Sequence, residues 1–181
     1  MARSDPLDIP YADHDRVRRL RAVIQYCLES NSLSFDNWNA PNHKGPGAYI
    51  AIVSGWSVNS YADPMGDNRW PEYGRDVLSD IDAFYDAASR VAESCDGAVV
   101  VGVDGVVNEQ LVRFRTPDDL DVEYEPWMGA RHMSALDIST REDVVATVTL
   151  SQENGRVTVF QNGSFESTLP ERFGERWRGS D

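Results

Sequence analysis

The chain has 181 residues, 41% of them hydrophobic, which suffices for one domain with a buried core and excludes a largely disordered chain. Its 17 Lys and Arg stand against 30 Asp and Glu, a formal charge of −13, and such a surface repels nucleic acid and anionic membranes. Lys44 is the only lysine, a balance that fits a surface solvated in a salty cytoplasm, where screening softens self-repulsion.

Three further exclusions follow. Cys27 and Cys95 lie singly in apolar stretches, so they read as buried thiols in a reducing compartment, not as a disulfide framework or a zinc site. No apolar run reaches the roughly 18 residues of a membrane span, and Met1-Ala2-Arg3-Ser4-Asp5 lacks a signal-peptide core. Asn162-Gly163-Ser164 has the form of a glycosylation sequon but reads as a turn. The expected location is the cytoplasm.

Residues 1–12 read as a loose polar arm. Over 15–30, Val17, Leu20, Ile24, Cys27 and Leu28 fall at helical spacing. Arg16, Arg18, Arg19 and Arg21 crowd the first half of that helix, where cations oppose its dipole, so they need partners elsewhere or a solvated face. A Pro- and Gly-rich loop over 39–47 leads to a strand at 48–53, and 55–74 reads as a long ordered loop. A second helix is expected over 76–93, with Val77, Ile81, Phe84, Ala88 and Val91 as its apolar stripe. Ala98 to Val103 is a buried strand, Asp104-Gly105 a hairpin signal, and Val106 to Phe114 the returning arm. A helix opens near Gly129, and two strands, 144–150 and 156–161, are joined through Asn154-Gly155, with another turn at Asn162-Gly163. The tryptophans, Trp38, Trp56, Trp70, Trp127 and Trp177, are expected in the core or at its edges. This order predicts an α/β fold, a single domain whose central mixed β-sheet is flanked by helices. Residues 1–70 hold the arm, a helix and the first strand, 71–170 the core, and 171–181 a C-terminal tail.

The chain has no GxxxxGK[ST] loop, no GxGxxG after a strand, no CxxC pair and no GxSxG elbow. This argues against an ordinary P-loop NTPase, a dinucleotide dehydrogenase or an α/β-hydrolase. Three clusters remain. Asp96 stands where a helix gives way to a buried strand, and Gly97-Ala98 leave the backbone open to a ligand, although Asp-Gly is equally a common turn. Arg131 and His132 open a helix, whose free N–H groups suit phosphate, with the arginine fork beside them; a surface salt bridge is the plainer use of such a pair. Ser151 and Glu153, read as the end of an extended strand, point to one side and offer a hydroxyl and a carboxylate to a phosphate and its cation, or simply form a polar hairpin tip.

Asp96-Gly97-Ala98, then Arg131-His132 about 35 residues later, then Ser151-Gln152-Glu153 together resemble the diadenylate cyclase domain. The resemblance covers roughly residues 75–165, and Gly45-Pro46-Gly47 with the strand after it is most similar to the short archaeal branch of that family. The family's usual Arg-His-Arg is Arg131-His132-Met133 here, its usual preceding threonine is Ala130, and its Ser-Glu-Glu is Ser151-Gln152-Glu153. Arg113, Arg115, Arg141 or Arg156 are the candidates to replace the missing charge.

The resemblance implies condensation of two ATP molecules into cyclic di-AMP with loss of two pyrophosphates. It assigns Asp96 as catalytic base or metal ligand, and Gly97, Ala98, Arg131, His132 and Ser151 to the nucleotide. Glu153 joins Asp96 on a divalent cation, Mn²⁺ or Mg²⁺. Two domains would meet face to face as a homodimer or higher homo-oligomer, because each supplies half a reaction centre. Two other readings compete: a sensor of the same fold that binds nucleotide without turnover, and an acidic scaffold that binds no nucleotide. Neither nucleic acid nor membrane is an expected partner.

Overall fold

The computed structural model describes residues 11–94, 96–117 and 120–177, so the arm over 1–10, Cys95 and the last four residues lie outside it, as does the side chain of Trp177. Tyr11–Asp13 form a single 3₁₀ turn before α1 (Asp15–Leu33). The predicted stripe is what α1 buries: Val17, Leu20, Ile24, Cys27 and Leu28 are all inside. Burial, and secondarily Asp82, pushes the Cys27 thiol up to about 12, so it is an inert core residue. Several of the crowded arginines find acceptors: Arg18 donates to the Asp13 carbonyl at 2.9 Å, Arg21 to Gln161 Oε1 at 2.6 Å, and Arg16 to the Asp104 carbonyl at 3.4 Å.

The central sheet has five strands in the order β3 (Val99–Gly102), β1 (Ala48–Val53), β5 (Val144–Leu150), β6 (Val157–Gln161) and β7 (Ser164–Thr168). β1 and β3 run parallel, the other pairs antiparallel, so the sheet is mixed as the sequence predicts. Alternation along β1 divides the core. Ala48, Ile50 and Ile52 face α1 and α2 (Ile81–Ser94), whereas Tyr49, Ala51 and Val53 belong to the cluster around α3 (Ala130–Ile138). A 3₁₀ turn, Pro170–Arg172, and the short helix α4 (Phe173–Trp177) end the described chain.

Four expectations need correction. The stretch 55–74 is not all loop: β2 (Ala62–Arg69) pairs with β4 (Gln110–Phe114) in a separate two-stranded ribbon. Pro64 and a register slip between Pro64 and Arg69 keep that strand at an edge and hid it from a periodicity reading. Second, the hairpin over 98–114 opens midway. Val101 and Val107 bridge near its turn and Ala98 and Val112 at its base, but the returning arm leaves the sheet to pair with β2.

Third, α2 begins at Ile81, not near 76. Asp76 Oδ1 takes the Ser79 N–H in a turn, and Asp80 Oδ1 takes the Ala83 N–H as an N-cap, so the acidic side chains stop the helix from starting earlier. Fourth, Trp56 is fully exposed instead of in the core, in contrast to Trp70, which stacks on Phe84 at 5.4 Å.

Candidate functional site

Strand order decides what meets at the site. β1 and β3 are parallel neighbours and β5 runs back along β1, so the starts of β1 and β3 and the end of β5 share one edge of the sheet. Asp96-Gly97-Ala98 lead into β3 there, Gly47 precedes β1, and Ser151 follows β5. The first turn of α3 reaches the same edge, since Thr147 Oγ1 donates to the Ala135 carbonyl at 2.8 Å and ties the helix to β5.

A cavity of about 450 Å³ opens at this edge, and Asp96, Gly97, Ala98 and Arg131 line it together with Tyr49 and Ser134. Arg131 Nη2 stands 3.3 Å from Asp96 Oδ1, although the two are separated by 35 residues. The arginine side chain is 26% exposed and the aspartate 82%, so Asp96 presents its carboxylate to solvent while Arg131 is packed. That packing involves Gly47: a Cβ there would run into Arg131 Nη1 and Gln152 Cγ, so only glycine leaves room for the guanidinium in this position.

Gly97 has φ +107, and a Cβ on it would come within 2.9 Å of Met65 Cγ and 3.2 Å of the Val112 carbonyl. A side chain at this position meets both a disfavoured backbone and the ribbon. Ala98 is anchored by reciprocal backbone bonds with Val112, of 2.7 and 3.0 Å, so the floor of the cavity is fixed. On the facing wall the Tyr49 and Ser134 hydroxyls lie 3.1 Å apart, and burial raises the tyrosine far above its ordinary range. Tyr49 therefore stays a neutral phenol.

His132 is 7% exposed and stands behind Arg131, not in the cavity wall. Its Nδ1 accepts the Gly129 N–H at 3.2 Å, closing the first turn of α3, so the ring proton sits on Nε2. Burial first, then the charges of Arg156 and Arg131, lower its pKa to about 4, leaving a neutral N–H donor at neutral pH. Nε2 has no protein partner among the described residues.

Ser151 and Glu153 are not on one extended segment as the spacing suggests. β5 ends at Leu150, and residues 152–154 form a turn closed by Gly155 N–H to the Ser151 carbonyl at 3.1 Å. Ser151 Oγ accepts the Glu153 N–H at 3.3 Å, and the Glu153 side chain is exposed. The N-terminal segment braces this turn: the Gly45 N–H donates to the Gln152 carbonyl at 3.3 Å, and His43 Nε2 lies 2.7 Å from the Glu153 carbonyl. The sequence reading did not pair residues 43–47 with 151–153. The adjacency comes from β1 lying beside β5, which no local pattern encodes.

Among the described residues no three His, Cys, Asp or Glu side chains gather into a metal cage. Asp96 lines the cavity, whereas Ser151 and Glu153 do not. No helix among the described residues is long and apolar enough to cross a membrane.

Residues 80–165, just under half of the chain, match the model of the DAC family, described as DisA bacterial checkpoint controller nucleotide-binding. Comparison with curated proteins gives no match. A double mutant of DacA from Staphylococcus aureus shares the fold at TM-score 0.54 and 18% identity, covering 90% of this chain and 97% of that one. The hypothetical membrane spanning protein from Bacillus cereus aligns over 81% of this chain at TM-score 0.53 and 16% identity. This chain spans 62% of that protein's length. The segment that matches the nucleotide-binding family contains Asp96, Arg131, His132, Ser151 and Glu153, and it lies within a fold shared with DacA.

Proposed function

We propose that this chain belongs to the diadenylate cyclase family, in its short archaeal branch, and condenses two ATP molecules into cyclic di-AMP and two pyrophosphates in the cytoplasm. The observation that carries this reading is the meeting of Asp96, Gly97, Ala98 and Arg131 around one cavity, within the segment that matches the family. In each half-reaction the 3′-oxygen of one ATP bonds to the α-phosphorus of the other. The bond from that phosphorus to the bridging β-oxygen breaks, and pyrophosphate leaves with the electron pair.

Arg131 binds the phosphates, which draw its guanidinium from Asp96 and free the carboxylate to take the hydroxyl proton or a cation. The backbone of Gly97 and Ala98 lies against the nucleotide. His132 orders the turn on which Arg131 stands, and its Nε2–H is a neutral donor for phosphate oxygen. Ser151 adds a hydroxyl. Asp96 and Glu153 would hold a divalent cation, which would supply charge neutralisation for the leaving pyrophosphate. Two copies face each other, so that each ATP is both nucleophile and electrophile.

The test incubates purified protein with ATP and Mn²⁺ or Mg²⁺ at low and high KCl, with cyclic di-AMP read by mass spectrometry. Product from the wild type and none from a folded Asp96→Asn variant is the expected outcome, and product from that variant removes Asp96 from its role. A second reading rests on Met133, whose side chain packs into the core cluster around α3 and brings no cation to the site. If ATP raises the melting temperature but no metal yields product, the chain is a nucleotide sensor.

A further inference from the structure

The cavity has an electrostatic feature that the assigned residues do not account for. Its lining contains three ionisable charges: Asp96, Arg131 and Arg113. Asp96 and Arg131 are an ion pair and offset one another. Arg113 therefore sets the positive balance of a pocket in a chain whose net charge is −13. A polyphosphate approaching this surface meets repulsion everywhere except where a local charge outweighs it.

Arg113 is also spare. It is exposed on β4, and no ion pair or hydrogen bond engages its side chain among the described residues. Its cross-strand neighbour is Asp63, but that carboxylate is taken by Arg115 Nη1 at 2.8 Å. The other arginines able to add charge are committed. Arg141 pairs with Asp143 at 2.9 Å and lies over the Tyr61 ring at 3.6 Å. Arg156 lies over the Trp127 ring at 4.4 Å and donates to Ser167 Oγ at 3.0 Å.

We infer that Arg113 is a substrate-binding residue, whose guanidinium contacts the phosphates of the nucleotide from the ribbon side of the cavity while Arg131 holds them from α3. This rests on the nucleotide-binding reading above and adds to it the group that draws a polyanion into an acidic protein. A cation on a long stem free of other partners among the described residues can follow the phosphates as they move from triphosphate to product.

The test measures binding of 3′-deoxy-ATP, which lacks the attacking hydroxyl, by calorimetry at low and high KCl. Wild type, Arg113→Gln, Arg113→Lys and, as a control, Arg115→Gln are compared. Arg113→Gln is expected to bind about tenfold or more weakly, as for loss of a charged hydrogen bond. Its affinity should depend less on KCl than that of the wild type. Arg113→Lys should recover much of the affinity, and Arg115→Gln should match the wild type. Wild-type affinity in Arg113→Gln, or equal losses in the Gln and Lys variants, overturns the role of Arg113 and leaves the proposed function standing. A wild type that binds no nucleotide overturns both.

Discussion

On one face of the central sheet Ile50, Ile52, Val99, Val101, Val148 and Leu150 meet the stripes of α1 and α2 in an apolar layer. On the other face the alternate positions include Tyr49, Thr147 and Thr149, and α3 brings His132, Ser134 and Asp137 against them. Among the described residues, Thr149 Oγ1, His132 Nε2 and Arg156 Nε in or beside that second layer are buried with no hydrogen-bond partner, against Asn31 Nδ2 on α1. Asp137 is 2% exposed, with burial raising its pKa and the Tyr124 hydroxyl, 2.7 Å away, partly offsetting the rise. The second face holds more of these unmet groups than the first, where α1 nonetheless buries Glu29, Asn31 and Ser32. The cavity with Asp96 and Arg131 opens beside the second.

The division predicts that damage to the first face is read as lost stability alone. Phe84 is fully buried against Trp70, and Phe84→Ala should cost about 3–5 kcal/mol through lost transfer energy and the cavity left behind. The check is the urea midpoint at unchanged m-value, with nucleotide affinity of the folded protein unaltered. A stable variant that no longer binds nucleotide would break the division.

On the second face stability should depend on pH through His132. The folded protein keeps its imidazole neutral down to about pH 4, whereas the unfolded chain takes up a proton near the ordinary value of 6.5. Above that value the group contributes no pH dependence. As the pH falls from about 6.5 to 4 the unfolded state binds the proton first, and stability drops by up to about 3 kcal/mol. Burial first, then the charges of Arg156 and Arg131, holds the ring neutral, and the Trp127 ring packs 5.0 Å from it. Melting temperatures at pH 7 and pH 5 should differ less in His132→Gln than in the wild type, and equal differences would remove His132 as the cause.

What the sequence reveals follows the same line. β1, β5 and β6 are legible as apolar, β-branched runs bounded by turn pairs, and their bounds agree with the structure to within a residue. β2 was hidden, because Asp63-Pro64-Met65-Gly66-Asp67-Asn68 has no alternation and is held only by its ribbon partner. At the site, Asp96-Gly97-Ala98 and Arg131-His132 stand out as local motifs. The contacts of Arg131 with Asp96 and Gly47 arise from strand order, and the commitment of Arg115 to Asp63 from ribbon register, so neither can be read locally.

Arg131→Ala should separate the two faces from the opposite direction. The exposure of Asp96 makes the ion pair worth no more than about 1 kcal/mol, so the urea midpoint should barely move. Nucleotide affinity should fall about tenfold or more, because a charged donor to phosphate is lost. A large loss of stability with affinity intact would make Arg131 a structural residue.

The smallest change is the most discriminating, because it lies outside the segment that matches the nucleotide-binding family. A methyl group on Gly47 meets Arg131 Nη1, the end of a flexible side chain, and Gln152 Cγ, which lies near the root of its own. The guanidinium can swing aside and Gln152 must turn about its own Cα–Cβ bond, so Gly47→Ala should cost about 1 kcal/mol. What it moves is the guanidinium facing Asp96, and affinity for 3′-deoxy-ATP should fall severalfold. The double variant Gly47→Ala with Arg131→Ala should bind no worse than Arg131→Ala alone, because a displaced arginine and a missing one remove the same contact. Additive losses would mean that Gly47 acts on the nucleotide by another route, through Gln152 and the turn bearing Ser151 and Glu153. In that case the N-terminal third shapes the cation side of the site more than its arginine.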